Sequence, residues 1–224
     1  MKKILYIFLV IISILLIYFN VNNHKYNYTI IGDEIISDSI GNYNYYVKNY
    51  LERKNSLISF NNLYYNDSII GLANDIKNNR TIIKGDNEYY LKKVLRESDF
   101  VVIDIGMKIL NKNYDQYNMN KNYYYFNRML DEIEKLIEEV TKYSCGKILF
   151  LGYYNPSNYY DAKTDEFFYN IDSKLQEMLS RKSIIYVDLY DLVKGNHYKL
   201  SNNSYLLNQY AHKKIASIIE YYLE

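Results

Sequence analysis

Short apolar runs alternate with longer amphipathic stretches along most of this chain. Tyr28-Thr29-Ile30-Ile31 runs into Gly32-Asp33, and residues 41–54 then read as a helix. A weaker strand occupies 57–65, and helical periodicity returns at 69–78 and 89–97. The stretch 100–105 is a nearly continuous β-rich run closed by Gly106, the pattern of a strand covered on both faces. Phe126, Met129, Leu130, Ile133, Ile137 and Val140 recur at i, i+3, i+4, i+7 spacing, which predicts a helix over 123–143 packed on a sheet. A buried strand follows at 147–152, a helix at 166–181, a fifth strand at 183–189 and a last helix at 207–223. Strands alternating with helices predict parallel βαβ units with right-handed crossovers, and so a three-layer α/β/α sandwich around a five-stranded parallel sheet. Ligands in such sheets sit beyond the carboxyl ends of the strands. Chemistry is therefore expected in the turns after Ile31, Tyr65, Ile105, Gly152 and Leu189.

The N-terminus follows another pattern. Lys2 and Lys3 precede an uninterrupted apolar run over 4–19, which ends at Asn20. At ~1.5 Å rise per residue the run spans about 24 Å, short for a ~30 Å hydrocarbon core but workable with snorkelling flanks. Its exit, Leu16-Ile17-Tyr18-Phe19-Asn20-Val21, lacks the small-residue pattern of a signal-peptidase site. An uncleaved transmembrane anchor is therefore favoured over a cleaved signal peptide, the alternative that would release the domain. The two lysines hold the N-terminus in the cytoplasm. The organisation expected is a cytoplasmic tip at 1–3, a single-pass anchor at 4–19, a polar stem at 20–27 and an extracytoplasmic domain at 28–224.

Composition narrows the partners. With 27 Lys+Arg against 26 Asp+Glu the net charge is +1, and no basic stripe stands out, which excludes the electrostatic footprint of a nucleic-acid binder. Cys145 is the single cysteine, so the domain has no internal disulfide and no structural zinc. The 30 tyrosines accompany an excess of Asn, Ile and Lys, the residues of A/T-rich codons. Codon composition explains them more simply than a tyrosine-lined binding surface does.

The turns carry a resemblance. Thr29-Ile30-Ile31-Gly32-Asp33-Glu34-Ile35 resembles the first block of the SGNH (GDSL) hydrolases, in which a strand runs into Gly-Asp-Ser-Leu. Asn66-Asp67-Ser68-Ile69-Ile70-Gly71 is similar to the second block, whose glycine offers an oxyanion-hole N–H, and the segment 98–109 to the third. Leu151-Gly152-Tyr153-Tyr154-Asn155-Pro156 resembles a Tyr-Asn-Pro turn found in bacterial members, and 203–216 resembles the fifth block. The blocks span 28–224 in order, and the likeness implies the flavodoxin-like sheet of that family.

Carried over position by position, the family's nucleophilic serine falls on Glu34, the oxyanion asparagine on Lys108, the triad aspartate on Asn203 and the general-base histidine on Leu206. Only Gly71 matches. Ester hydrolysis through a serine needs a base in hydrogen-bond reach, and leucine cannot supply one. Ser37 and Ser39 read as turn or capping residues, His197 and His212 as surface histidines, and His24 as part of the stem. Glu34 facing Lys108 reads as an ion pair across a disused pocket, in preference to a general base. Asp33, Glu34 and Asp104 bring no histidine at ligand spacing, so neither a metal nor another cofactor is expected.

The resemblance thus implies an anchored hydrolase-like domain without esterase activity, a binding or scaffolding module for a cell-envelope glycan or a partner protein. The binding candidates are Asp33, Glu34, Lys108, Tyr153, Tyr154 and Asn155. An open cleft lined by Tyr43, Tyr45, Tyr153 and Tyr154 would favour a glycan. The alternative is an active ester hydrolase rebuilt around Glu34 and Lys108.

Overall fold

A computed structural model describes residues 6, 8–13, 25–33, 41–65, 68–84, 87–113, 119–155, 162–200 and 206–224. Its sheet is built from β1 (Tyr26–Gly32), β2 (Leu57–Tyr64), β5 (Phe100–Asp104), β6 (Lys147–Leu151) and β7 (Ile185–Val187), in the order β2-β1-β5-β6-β7. Every neighbouring pair is parallel. The central strands are the most apolar: β5 is buried throughout, as the unbroken run from Phe100 requires of a strand covered on both faces.

Helices α1 (Tyr43–Arg53) and α8 (Gln209–Leu223) pack together on one face. The other layer holds α2 (Ile69–Lys77), α3 (Leu91–Glu97), the long α5 (Met119–Tyr143) and α6 (Ala162–Ser180), with α5 packed against α2, α3 and α6. The stripe of α5 is buried from Phe126 to Val140. Two short helices, α4 (Met107–Asn113) and α7 (Leu189–Leu192), open directly at the carboxyl ends of β5 and β7.

Three features depart from the sequence pattern. Residues 81–90 form an antiparallel hairpin, β3 (Thr81–Lys84) with β4 (Asn87–Tyr90), in which Tyr89 pairs with Ile82 and Tyr90 with Thr81. The helix expected over 89–97 therefore starts only at Leu91. A Gly85-Asp86 connector, a hairpin signal, separates the two strands in sequence. α4 had no counterpart in the periodicity, being too short to show one. The tyrosines also have a structural use: Tyr28, Tyr43, Tyr153 and Tyr154 are among the largest fully buried side chains.

Most of the apolar run 4–19 lies outside the described residues. Within it Tyr6 and 8–13 are helical with exposed side chains, and among the described residues no helix is long and apolar enough to cross a membrane.

Candidate functional site

The carboxyl ends of β1 and β5 meet over a buried pair of carboxyl groups. Gly32 is paired with Tyr64 on one side and Asp104 on the other, and the strands approach so closely that a Cβ at Gly32 would overlap the Asp104 carbonyl oxygen. Asp33 follows. Its N–H donates to Asp104 O at 3.0 Å, and its Oδ2 accepts the N–H of Gly106 at 3.0 Å and of Lys108 at 3.4 Å. Asp33 thus clamps the turn after β5 and the first turn of α4, where a carboxylate meets the positive end of the helix. Gly106 bends that turn at φ +106°, and a Cβ there would collide with the Tyr153 hydroxyl, which donates to Ile105 O at 2.9 Å.

Asp104 lies 5 % exposed beneath this turn and accepts from the Tyr43 hydroxyl at 2.5 Å. Burial first, and the neighbouring Asp33 second, push its pKa up to about 7, while the Tyr43 hydrogen bond pulls the other way. The Tyr43 hydroxyl is raised in turn, by burial and then by Asp104. Near neutral pH the carboxyl group of Asp104 therefore holds a proton part of the time.

A second buried carboxyl group stands beside β6. Asp172 of α6 accepts from the Tyr186 hydroxyl of β7 and from the Tyr153 N–H, close against Gly152. Burial raises its pKa to about 7, with Asp188 and Asp191 adding and the Tyr186 bond opposing. No motif marks Asp172 in the sequence, although it sits at i+4 from Phe168 and i−3 from Leu175 on a buried helix face.

The structure brings together Asp33, the Lys108 backbone and Tyr153. Tyr153, Tyr154 and Asn155 are buried, at 2, 2 and 4 % exposure, so they pack beneath the surface instead of lining an open cleft. Tyr43 is buried as well. Tyr45 is exposed and borders, with Tyr46 and Lys213, a surface groove of ≈ 510 Å³ between α1 and α8, away from the paired carboxyl groups. Glu34, Ser37, Ser39, Asn203 and Pro156 lie outside the described residues, and with them the expected Glu34–Lys108 pair.

Gly71, the one matching position, has its N–H engaged by Ser68 Oγ at 3.0 Å, because Ser68 caps α2. Replacing Ser68 by alanine is expected to cost about 1 kcal/mol, read as a shift in urea midpoint. Leu206 packs against the core just ahead of α8. His197 is exposed, its ring 4.0 Å from that of Tyr198. His212, expected on the surface, is instead half-buried, 5.9 Å from the Tyr43 ring. Burial pushes its pKa down to about 4, against the raising effect of a hydrogen bond that the imidazole donates to the Leu207 backbone carbonyl. The helical period explains this, since His212 lies one turn before Ala216 and two before Ile219, both buried.

No protein-family model matches the sequence, and no curated protein does. Solved structures match the backbone. An acetylxylan esterase from Geobacillus stearothermophilus superposes with TM-score 0.65 at 13 % identity, covering 88 % of this chain and 93 % of its own. A lipase from a goat rumen metagenome gives 0.68 at 15 % identity over 87 % and 95 %. An α/β hydrolase enzyme from the metagenome of Lake Arreo, Spain, gives 0.61 at 15 % identity over 88 % and 94 %. The fold is the one these esterases and lipases share. It agrees with the layout implied by the order of the sequence blocks, and at such identity the likeness carries the fold and not the chemistry.

Proposed function

We propose that this chain is a membrane-anchored, extracytoplasmic domain of hydrolase fold that binds a cell-envelope glycan or a partner protein without cleaving esters. The observation that carries the reading is the use of Gly71: the backbone donor at the matching oxyanion position is committed to the cap of its own helix. Leu206, packed on the core where the resemblance places a general base, supports it. Acyl transfer through an alkoxide needs both a base and donors aimed at the developing charge. The acetylated polysaccharide named for the Geobacillus esterase supports the glycan class, and the apolar run over 4–19 supports the anchor.

Full-length protein in detergent, assayed with p-nitrophenyl acetate and acetylated xylo-oligosaccharide, is expected to show no turnover above the protein-free rate. Turnover abolished by Glu34→Ala would overturn this in favour of the second reading, an ester hydrolase rebuilt around Glu34 and Lys108. One observation favours that alternative. Asp104 has a pKa of about 7, suited to proton transfer near neutrality, although it is almost fully buried.

A further inference from the structure

Helices α1 and α8 lie side by side and run in the same direction. Gln209 Nε2 donates to the Tyr46 hydroxyl at 2.7 Å near their starts, and the Tyr50 hydroxyl donates to Glu224 Oε1 at 2.7 Å near their ends. The groove of ≈ 510 Å³ between them therefore follows the helix axes. Tyr45 and Arg53, eight positions apart on α1, set its length at about 12 Å for a rise of ~1.5 Å per residue. On the α8 side stand Ala216 and Ser217, whose short side chains leave the groove open.

The groove combines an aromatic ring with a separated donor and acceptor. Tyr46 is pinned by Gln209 and by Lys213 Nζ, 5.6 Å from its ring centre, and Tyr45 meets it edge to face at 5.6 Å. Tyr45 is thus held in place yet stays 45 % exposed. Towards the other end Arg53 of α1 and Glu220 of α8 both border the groove. The one hydrogen bond of the Arg53 side chain among the described residues runs from Nε to Asn49 O at 3.3 Å, which leaves the fork of its terminal nitrogens to the groove. Burial raises the Glu220 pKa, the Arg53 charge opposes this and Glu224 adds to it, while among the described residues no ion pair joins Arg53 to Glu220. The charges are mixed. Glu52 and Glu220 stand against Arg53 and Lys213, and at the rim Lys48 meets Glu52 at 3.7 Å and Lys54 meets Glu224 at 4.0 Å.

On the glycan side of the function proposed above, we infer that this groove seats an uncharged oligosaccharide. A pyranose ring has an apolar C–H face, which packs on an aromatic ring, and a rim of hydroxyls, each a donor and an acceptor at once. Such a hydroxyl bridges a guanidinium and a carboxylate that stand too far apart to pair. An anionic ligand gains from Arg53 and Lys213 but is repelled by Glu52 and Glu220, and a cation meets the reverse. The volume falls in the range of small-ligand sites. Because α1 opens at the carboxyl edge, where Tyr43 reaches Asp104, the groove runs along the flank of the domain and is separate from the paired carboxyl groups.

The test is a calorimetric titration of the full chain in phosphatidylcholine nanodiscs, with xylotetraose and N-acetylchitotetraose as probes. At least one of the two is expected to bind saturably, with the same affinity at about 0.1 and 1 M salt, where the screening length falls from ~10 to ~3 Å. Tyr45→Ala, which removes the ring, and Ser217→Phe, which fills the groove from the other helix, are each expected to weaken binding at least about fivefold. Tyr124→Ala and Tyr169→Ala, at exposed tyrosines of α5 and α6 in the opposite layer, are expected to leave it unchanged. Binding that survives both groove variants, or that the α5 and α6 variants weaken equally, overturns the groove and leaves the glycan reading standing. Failure of both sugars to bind overturns the two together. Tighter binding of trigalacturonate, lost in high salt, overturns the uncharged class. Tyr45 and Ser217 are both exposed, and should either variant lose its circular dichroism signal the other decides.

Discussion

Replacing Gly32 with alanine is expected to cost about 3–4 kcal/mol of folding stability, the sum of overpacking and a lost buried hydrogen bond. The added methyl has nowhere to go. It would overlap the Asp104 carbonyl oxygen, which belongs to the backbone of β5 and cannot rotate away like a side chain. Relief requires β1 and β5 to separate at their carboxyl ends, where Asp33 N–H meets Asp104 O and the Asp33 carboxylate holds the turn at Gly106. The damage therefore spreads from one contact to the whole clamp. Urea denaturation is the measurement, with a fall in thermal midpoint of about 6–16 °C in a domain of this size. A loss below about 1 kcal/mol would show that the two strand ends yield easily.

Asp104→Asn should change the pH dependence of stability more than any other single exchange in this cluster. In the folded protein Asp104 keeps its proton up to about pH 7, whereas the unfolded chain releases it near its ordinary value of about 4. Its contribution is therefore fully present below about pH 4 and is lost as pH rises to about 7, at up to ~1.4 kcal/mol per pH unit. Asp172 acts in the same direction, and His212, depressed to about 4, acts in the opposite one between about pH 4 and 6.5. Subtracting the variant from the parent isolates Asp104. The asparagine variant is expected to match the parent near pH 4 and to exceed it at pH 8, by up to about 4 kcal/mol. Urea midpoints across that range are the test, and a gap that does not change with pH would show that Asp104 is ionised throughout.

The sheet was legible because strands covered on both faces are apolar along their buried length, as Phe100 to Ile103 and Ile148 to Leu151 are. The hairpin at 81–90 was not, because Tyr90 stands one turn before Val94 and directly ahead of Leu91, and so extends the apolar pattern of α3 backwards. The burial of His212 and Asp172 was written in the helical period, where each occupies a core-facing register. Polar residue type had outweighed position there. The role of Asp33 lay beyond any local pattern: its partners are backbone N–H groups some 73 and 75 residues further on, and backbone donors leave no mark on residue type. Likewise the glycine at 71 says nothing of where its N–H goes, which Ser68 takes three positions earlier.

A core filled with tyrosine has a chemical appetite that a phenylalanine core lacks. Each phenol carried inward from an A/T-rich codon brings a hydroxyl that needs an acceptor. At the ends of these strands the acceptors are carboxylates and carbonyls: Tyr43 finds Asp104, Tyr186 finds Asp172, Tyr65 finds Asp75 and Tyr153 finds Ile105 O. The acids that look most like catalytic groups are thus already engaged in solvating the interior. A substrate arriving at this edge would have to compete with the protein's own phenols for them.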